Sequence, residues 1–119
     1  MTKQHHIQLC HIDEIPPDTA RGFTTAQTGA DQEVFVVCKG DNYYGYINSC
    51  PHTGAPLEWM PHQFLSLDGE SIQCSLHGAR FTIEKGLCIQ GPCPGQTLES
   101  VQLEVKQDTV YWINPEITA

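Results

Sequence analysis

Apolar positions in this chain recur at intervals of two far more often than at the spacing of a helix face. Val101, Leu103 and Val105 alternate with Gln102, Glu104 and Lys106, which predicts a half-buried strand. Gln107 and Asp108 then turn the chain into residues 109–113, so the two segments predict a hairpin. Residues 34–38, Val-Phe-Val-Val-Cys, are β-branched and aromatic, and end at the turn signal Lys39-Gly40-Asp41-Asn42. A second strand follows at 43–47. Weaker strand patterns cover 7–12, 22–28, 63–67 and 71–74. Asp68-Gly69 predicts the turn between the last two, because glycine accepts a positive φ. Pro51, Pro56 and Pro61 limit any helix near 56–59 to one turn. No internal repeat or linker interrupts the series. Short strands at close spacing predict an all-β fold, a small antiparallel sandwich or barrel formed by residues 1–119 as a single domain.

Composition narrows the chemistry. Six Lys and Arg stand against 14 Asp and Glu, a net charge of −8, and the acidic groups are spread along the chain. Such a surface is repelled by phosphate backbones and anionic lipid, so nucleic-acid and membrane partners are not expected. The run at 34–38 is far short of the ~20 apolar residues of a membrane helix. Residues 1–6 carry no apolar stretch of secretory type, so a cytoplasmic location is expected. In a reducing compartment, six cysteines point to metal ligands or buried thiols rather than to disulfides.

Residues 48–61 and 75–80 fit neither strands nor ordinary turns, and both carry metal-ligand types. Cys50-Pro51-His52 offers a thiolate and an imidazole, and Cys74-Ser75-Leu76-His77 offers another of each. Gly54 and Gly78 follow closely and let the backbone wrap tightly around an inorganic core. A Cys₂His₂ set can bind zinc tetrahedrally. Zinc fingers, however, usually pair like with like, whereas mixed loops suit a 2Fe–2S cluster with two thiolates on one iron and two imidazoles on the other.

The segments Cys50-Pro51-His52-Thr53-Gly54-Ala55-Pro56-Leu57 and Cys74-Ser75-Leu76-His77-Gly78-Ala79-Arg80-Phe81 resemble the two cluster-binding boxes of Rieske proteins. They are most similar to those of soluble Rieske ferredoxins and of ring-hydroxylating oxygenases. Gly91-Pro92-Cys93-Pro94-Gly95 resembles the family's proline-rich loop over the cluster, and residues 84–88 resemble the turn before it. The resemblance implies a Rieske fold, an antiparallel β-sandwich base with a small cluster-binding subdomain at about 48–95. It implies one 2Fe–2S cluster per chain, held by Cys50, His52, Cys74 and His77. In the family the imidazole side lies nearest solvent, so His52 and His77 would form the docking tip, while the proline loop with Leu57, Leu76 and Pro92 would screen the rest of the cluster from water. Two features depart from the family pattern: the stretch between the boxes is long, and a cysteine, Cys93, sits in the proline loop.

The implied function is to carry one electron between a reductase and a terminal oxidoreductase such as a ring-hydroxylating dioxygenase, with no catalysis of its own. The alternatives are the small subunit of an assimilatory nitrite reductase and a zinc-binding interaction module. High-potential members of the family join their two loops by a disulfide at the positions of Ala55 and Leu76. They also place hydroxyls at the positions of Ala79 and Phe81. Lacking both, this chain is expected near the low end of the Rieske range, about −150 mV. Outside the boxes, Cys10 and Cys38 are expected to be core or edge thiols and Cys88 and Cys93 to bracket the third loop. His5, His6, His11 and His62 are expected at the surface, and Tyr43, Tyr44, Tyr46 and Trp112 in hairpin packing.

Overall fold

The alternating segments do form strands in the computed structural model, which describes residues 3–29, 32–49, 57, 62, 64–66, 69–74, 79–91 and 95–116. In chain order these are β1 (Lys3–His11), β2 (Thr19–Phe23), a short helix α1 (Thr25–Thr28), β3 (Val34–Lys39), β4 (Asn42–Ile47), β5 (Ser71–Gln73), β6 (Arg80–Thr82), β7 (Cys88–Gln90), β8 (Ser100–Lys106) and β9 (Thr109–Glu116). They pair antiparallel in two sheets, one ordered β1-β9-β8-β4-β3-β2 and the other β5-β6-β7.

β3 explains why the larger sheet can be covered on both sides. All five residues from Val34 to Cys38 are buried, so successive side chains feed opposite cores. Val34, Val36 and Cys38 join Cys10 of β1, Phe23 of β2, and Val110 and Trp112 of β9. The sheet must therefore fold back over itself, and the fold falls where β4 and β8 share only the pairs Gly45↔Val101 and Tyr46↔Ser100. This doubled sheet is the sandwich base. Phe35 and Val37 face the other way, into a core with Tyr46, Phe64, Ile72 and Phe81, and Phe35 stacks on Phe64 with centroids 4.3 Å apart. The three-stranded sheet packs onto the base through this second core.

Local chemistry moves several boundaries. The strand pattern at 22–28 ends at Phe23, because Thr24 and Gln27 form a reciprocal capping box and Gly29, at φ +75°, closes α1. β2 begins earlier than expected, at Thr19. Arg80, grouped by sequence with the irregular stretch, opens β6, and Cys88 opens β7. Leu65 bridges Ile72 in the expected 63–74 hairpin, and Gly69 has the positive φ foreseen for it. Of the possible turn at 56–59 only Leu57 is described. Among the described residues no helix is long and apolar enough to cross a membrane.

Candidate metal centre

The second ligand loop leaves the core directly from β5. Cys74 has no accessible surface, and its N–H donates to the Ala79 carbonyl at 2.8 Å. That bond joins the two residues that flank 75–78, a segment that includes His77 and lies outside the described residues.

The first loop leaves from the end of β4. Ile47 N–H donates to the Glu99 carbonyl and Asn48 N–H to the Glu33 carbonyl, both at 2.8 Å, so the exit is fixed from two neighbouring segments. The Asn48 side chain then reaches across the loop: its Oδ1 accepts the Leu57 N–H at 2.9 Å in a buried setting. Cys50 and His52 belong to the segment closed by this bond and lie outside the described residues. Both necks root in one core, where Leu57, Cys74 and Ala79 are fully buried together with Ile72 and Phe81.

The third loop meets the second at Gly91. Its φ is +106°, and a Cβ there would stand 2.6 Å from Ala79 Cα. Only glycine permits that approach. Pro92, Cys93 and Pro94 lie outside the described residues.

Tyr46 ties the base to this region. Its hydroxyl donates to the Ile83 carbonyl, just beyond β6. Burial, then the nearby Glu84 and Tyr44, push the phenol up to about 12, so it stays a proton donor across the physiological range. Gly86, at φ +66°, lies against the same ring. Sequence reasoning placed Tyr46 in hairpin packing and did not single out Asn48. A polar residue directly after an apolar strand and two before a candidate ligand was the signal available for Asn48.

The other described cysteines and histidines have other work. Cys10 and Cys38 are core thiols, as expected. Burial, then Glu14, raises Cys10 to about 11, and burial also raises Cys38; neither has the acidity of a reactive thiol. Cys88 is buried and its Sγ donates to the Gln90 carbonyl at 3.4 Å. His6, His11 and His62 are exposed, but each has a partner. His6 lies 3.6 Å from Glu104, His11 caps the 3-10 turn Ile12–Glu14, and His62 Nδ1 accepts the Gly22 N–H at 3.0 Å. A cavity of about 560 Å³ opens beside the β3–β4 turn, lined by Ile12, Pro16, Cys38 and Tyr43 among others, and involves neither box.

Among the described residues no three His, Cys, Asp or Glu side chains gather as a metal site; of the four expected ligands, the structure places Cys74 alone. The fit can still be judged from the donor set. A fully buried cysteine at a loop neck, with one further Cys and two His on the two loops rooted in the same core, suits a thiolate- and imidazole-bound centre, a 2Fe–2S cluster or zinc. It does not suit an oxygen-ligated ion.

Residues 5–107 match the family described as the Rieske [2Fe-2S] domain. Ferredoxin CarAc of Metapseudomonas resinovorans is 30% identical over 105 residues, 88% of this chain and 90% of that protein. The biphenyl dioxygenase ferredoxin subunit of Pseudomonas sp. (strain KKS102) is 26% identical over 100 residues, 83% of each chain. Among solved structures, a chain in the complex of reduced oxygenase and oxidised ferredoxin in carbazole 1,9a-dioxygenase superposes with a TM-score of 0.71 at 29% identity, covering 89% of this chain and 99% of that one. The ferredoxin of carbazole 1,9a-dioxygenase from Nocardioides aromaticivorans IC177 shares the fold, with a TM-score of 0.71 at 24% identity over 93% of this chain and 98% of that one.

Proposed function

The chain belongs to the Rieske [2Fe-2S] domain family, and from that premise we propose that it is a one-electron carrier working between a reductase and a terminal oxidoreductase of the ring-hydroxylating dioxygenase type. Its ligands are Cys50 and Cys74 on one iron and His52 and His77 on the other. When bound, the cluster supplies reversible one-electron redox chemistry. The chain's own residues hold the ligands and limit water. Cys74 is fixed by its bond to Ala79, Leu57 and Phe81 pack apolar surface beneath both loops, and Gly91 brings the third loop against the second. The chain acts as one domain with its cluster-binding part at about 48–95. His52 and His77 present the docking tip.

The observation that carries this reading is the common root of the two boxes, with Leu57, Cys74 and Ala79 in one buried core. Two further points support it. The curated relatives named above are a ferredoxin and the ferredoxin subunit of a biphenyl dioxygenase, which favours a transient carrier over the small subunit of a nitrite reductase. The described cysteines outside the boxes are buried, which suits a cytoplasmic site of action.

Ligand substitution tests the proposal. Cys74→Ser and His77→Ala should each abolish iron incorporation and the visible absorption of the cluster, with loss of local structure, because metal binding at such sites is coupled to folding. Full iron content in either variant would overturn the ligand assignment.

A further inference from the structure

We propose that Asn48 is the positioning residue of the first ligand loop, setting where Cys50 and His52 are presented. This rests on the ligand assignment above. The two loops are closed by different kinds of bond. The second neck is backbone to backbone, Cys74 N–H to Ala79 O, and would survive a change of side chain at either end. Among the described residues the first neck is closed through a side chain, the Asn48 amide, whose Oδ1 takes the Leu57 N–H at 2.9 Å.

Asn48 is suited to that task by how firmly it is held. Only 8% of its surface is exposed. Its own N–H is fixed on the Glu33 carbonyl, and the residue before it is fixed on Glu99. The side chain therefore projects from an anchored backbone at the end of β4. Leu57, at the far end of the loop, is fully buried in the core that also holds Cys74. The bond thus spans eight intervening residues, 49–56, and references them to the same core as the second loop.

A buried amide hydrogen is costly to leave without an acceptor, so removing Oδ1 forces the neck to open or to admit water. Because each loop supplies one thiolate and one imidazole, displacement of the first loop moves one ligand of each iron. A change at residue 48 should therefore register at both ends of the cluster, unlike the loss of a single ligand. Groups that orient metal ligands commonly alter metal affinity by about 10–100-fold when removed.

The experiment compares the full-length holoprotein with Asn48→Ala, which removes the acceptor, and Asn48→Asp, which keeps it. The readouts are the EPR line shape of the reduced protein, visible circular dichroism, and the rate of iron release to a chelator. The proposal expects Asn48→Ala to change both spectra and to release iron about tenfold faster or more. It expects Asn48→Asp to keep the native line shape and release rate. A role confined to general stability would lower the melting temperature of Asn48→Ala and leave the spectra of its bound cluster native; that result overturns the proposal. If Asn48→Ala gives no soluble holoprotein, Asn48→Asp decides: native behaviour supports the proposal, and altered spectra with faster release overturn it. Failure of the ligand assignment would show separately, as a wild-type protein without a mixed-ligand cluster.

Discussion

Ala79 and Phe81 are fully buried at the neck of the second loop, and neither carries a hydroxyl. In this position an O–H donor would stabilise the added electron, so its absence lowers the potential. A potentiometric titration of the native protein should give a midpoint near the bottom of the Rieske range, about −150 mV. Ala79→Ser together with Phe81→Tyr should raise it, and an unchanged midpoint would assign the poise to other groups. Tyr46 supplies a stability prediction. Burial pushes its phenol from the ordinary value of 10.0 up to about 12, so the unfolded chain loses this proton first as pH rises. Stability from this group is complete below pH ~10 and is lost as pH climbs toward 12. Cys10, raised from 9.0 to about 11, acts with the same sign from a lower starting pH. Denaturant midpoints should therefore fall between about pH 9 and 12, and above pH 10 less steeply in Tyr46→Phe. That variant should also cost roughly 1–3 kcal/mol at neutral pH, by leaving the Ile83 carbonyl unpaired.

At the scale of elements, long apolar or alternating segments were legible, and of the three-residue strands only β5 was, within the pattern at 71–74. Residues 34–38, 43–47, 101–106 and 109–113 are strands because packing and local preference agree there. At 22–28 they disagree. Thr24, Gln27 and Gly29 write a helix cap into a pattern that also alternates, and cap chemistry won. β6 and β7 are three residues each and owe their form to contacts with the base, such as Phe81 in the second core, which no local period announces. The two boxes could be read as the signature of the family because their residue types and spacing are unusual; the residues that support them could not. Asn48 and Tyr46 act across nine and 37 residues of sequence. Gly91 gives the element-scale prediction. Gly91→Ala places a methyl 2.6 Å from Ala79 Cα at a φ of +106°, so the third loop must lift from the second. The variant should lose roughly 1–3 kcal/mol of stability and lose its cluster faster in air. A native melting temperature and native air stability would show that the two loops do not bear on each other.

The whole molecule carries a net charge of −8, which bears on how it meets its partners. An electron carrier must release what it binds, so its interfaces are small and its complexes short-lived. With a basic partner, the association rate in stopped-flow experiments should fall as salt rises from about 0.01 to 0.15 M and the Debye length shrinks from about 30 to 8 Å. A salt-insensitive rate, or a large subunit that co-purifies, would instead favour a permanent enzyme subunit.

Pulsed EPR of the reduced protein labelled with ¹⁵N-histidine shows whether one Cys and one His from each box hold a single 2Fe–2S cluster. Two coordinated imidazole nitrogens should couple to the unpaired spin, and the signal should be lost with the cluster in His77→Ala. A reduced cluster with no histidine nitrogen coupling, or a protein that binds zinc and gives no signal, would contradict it.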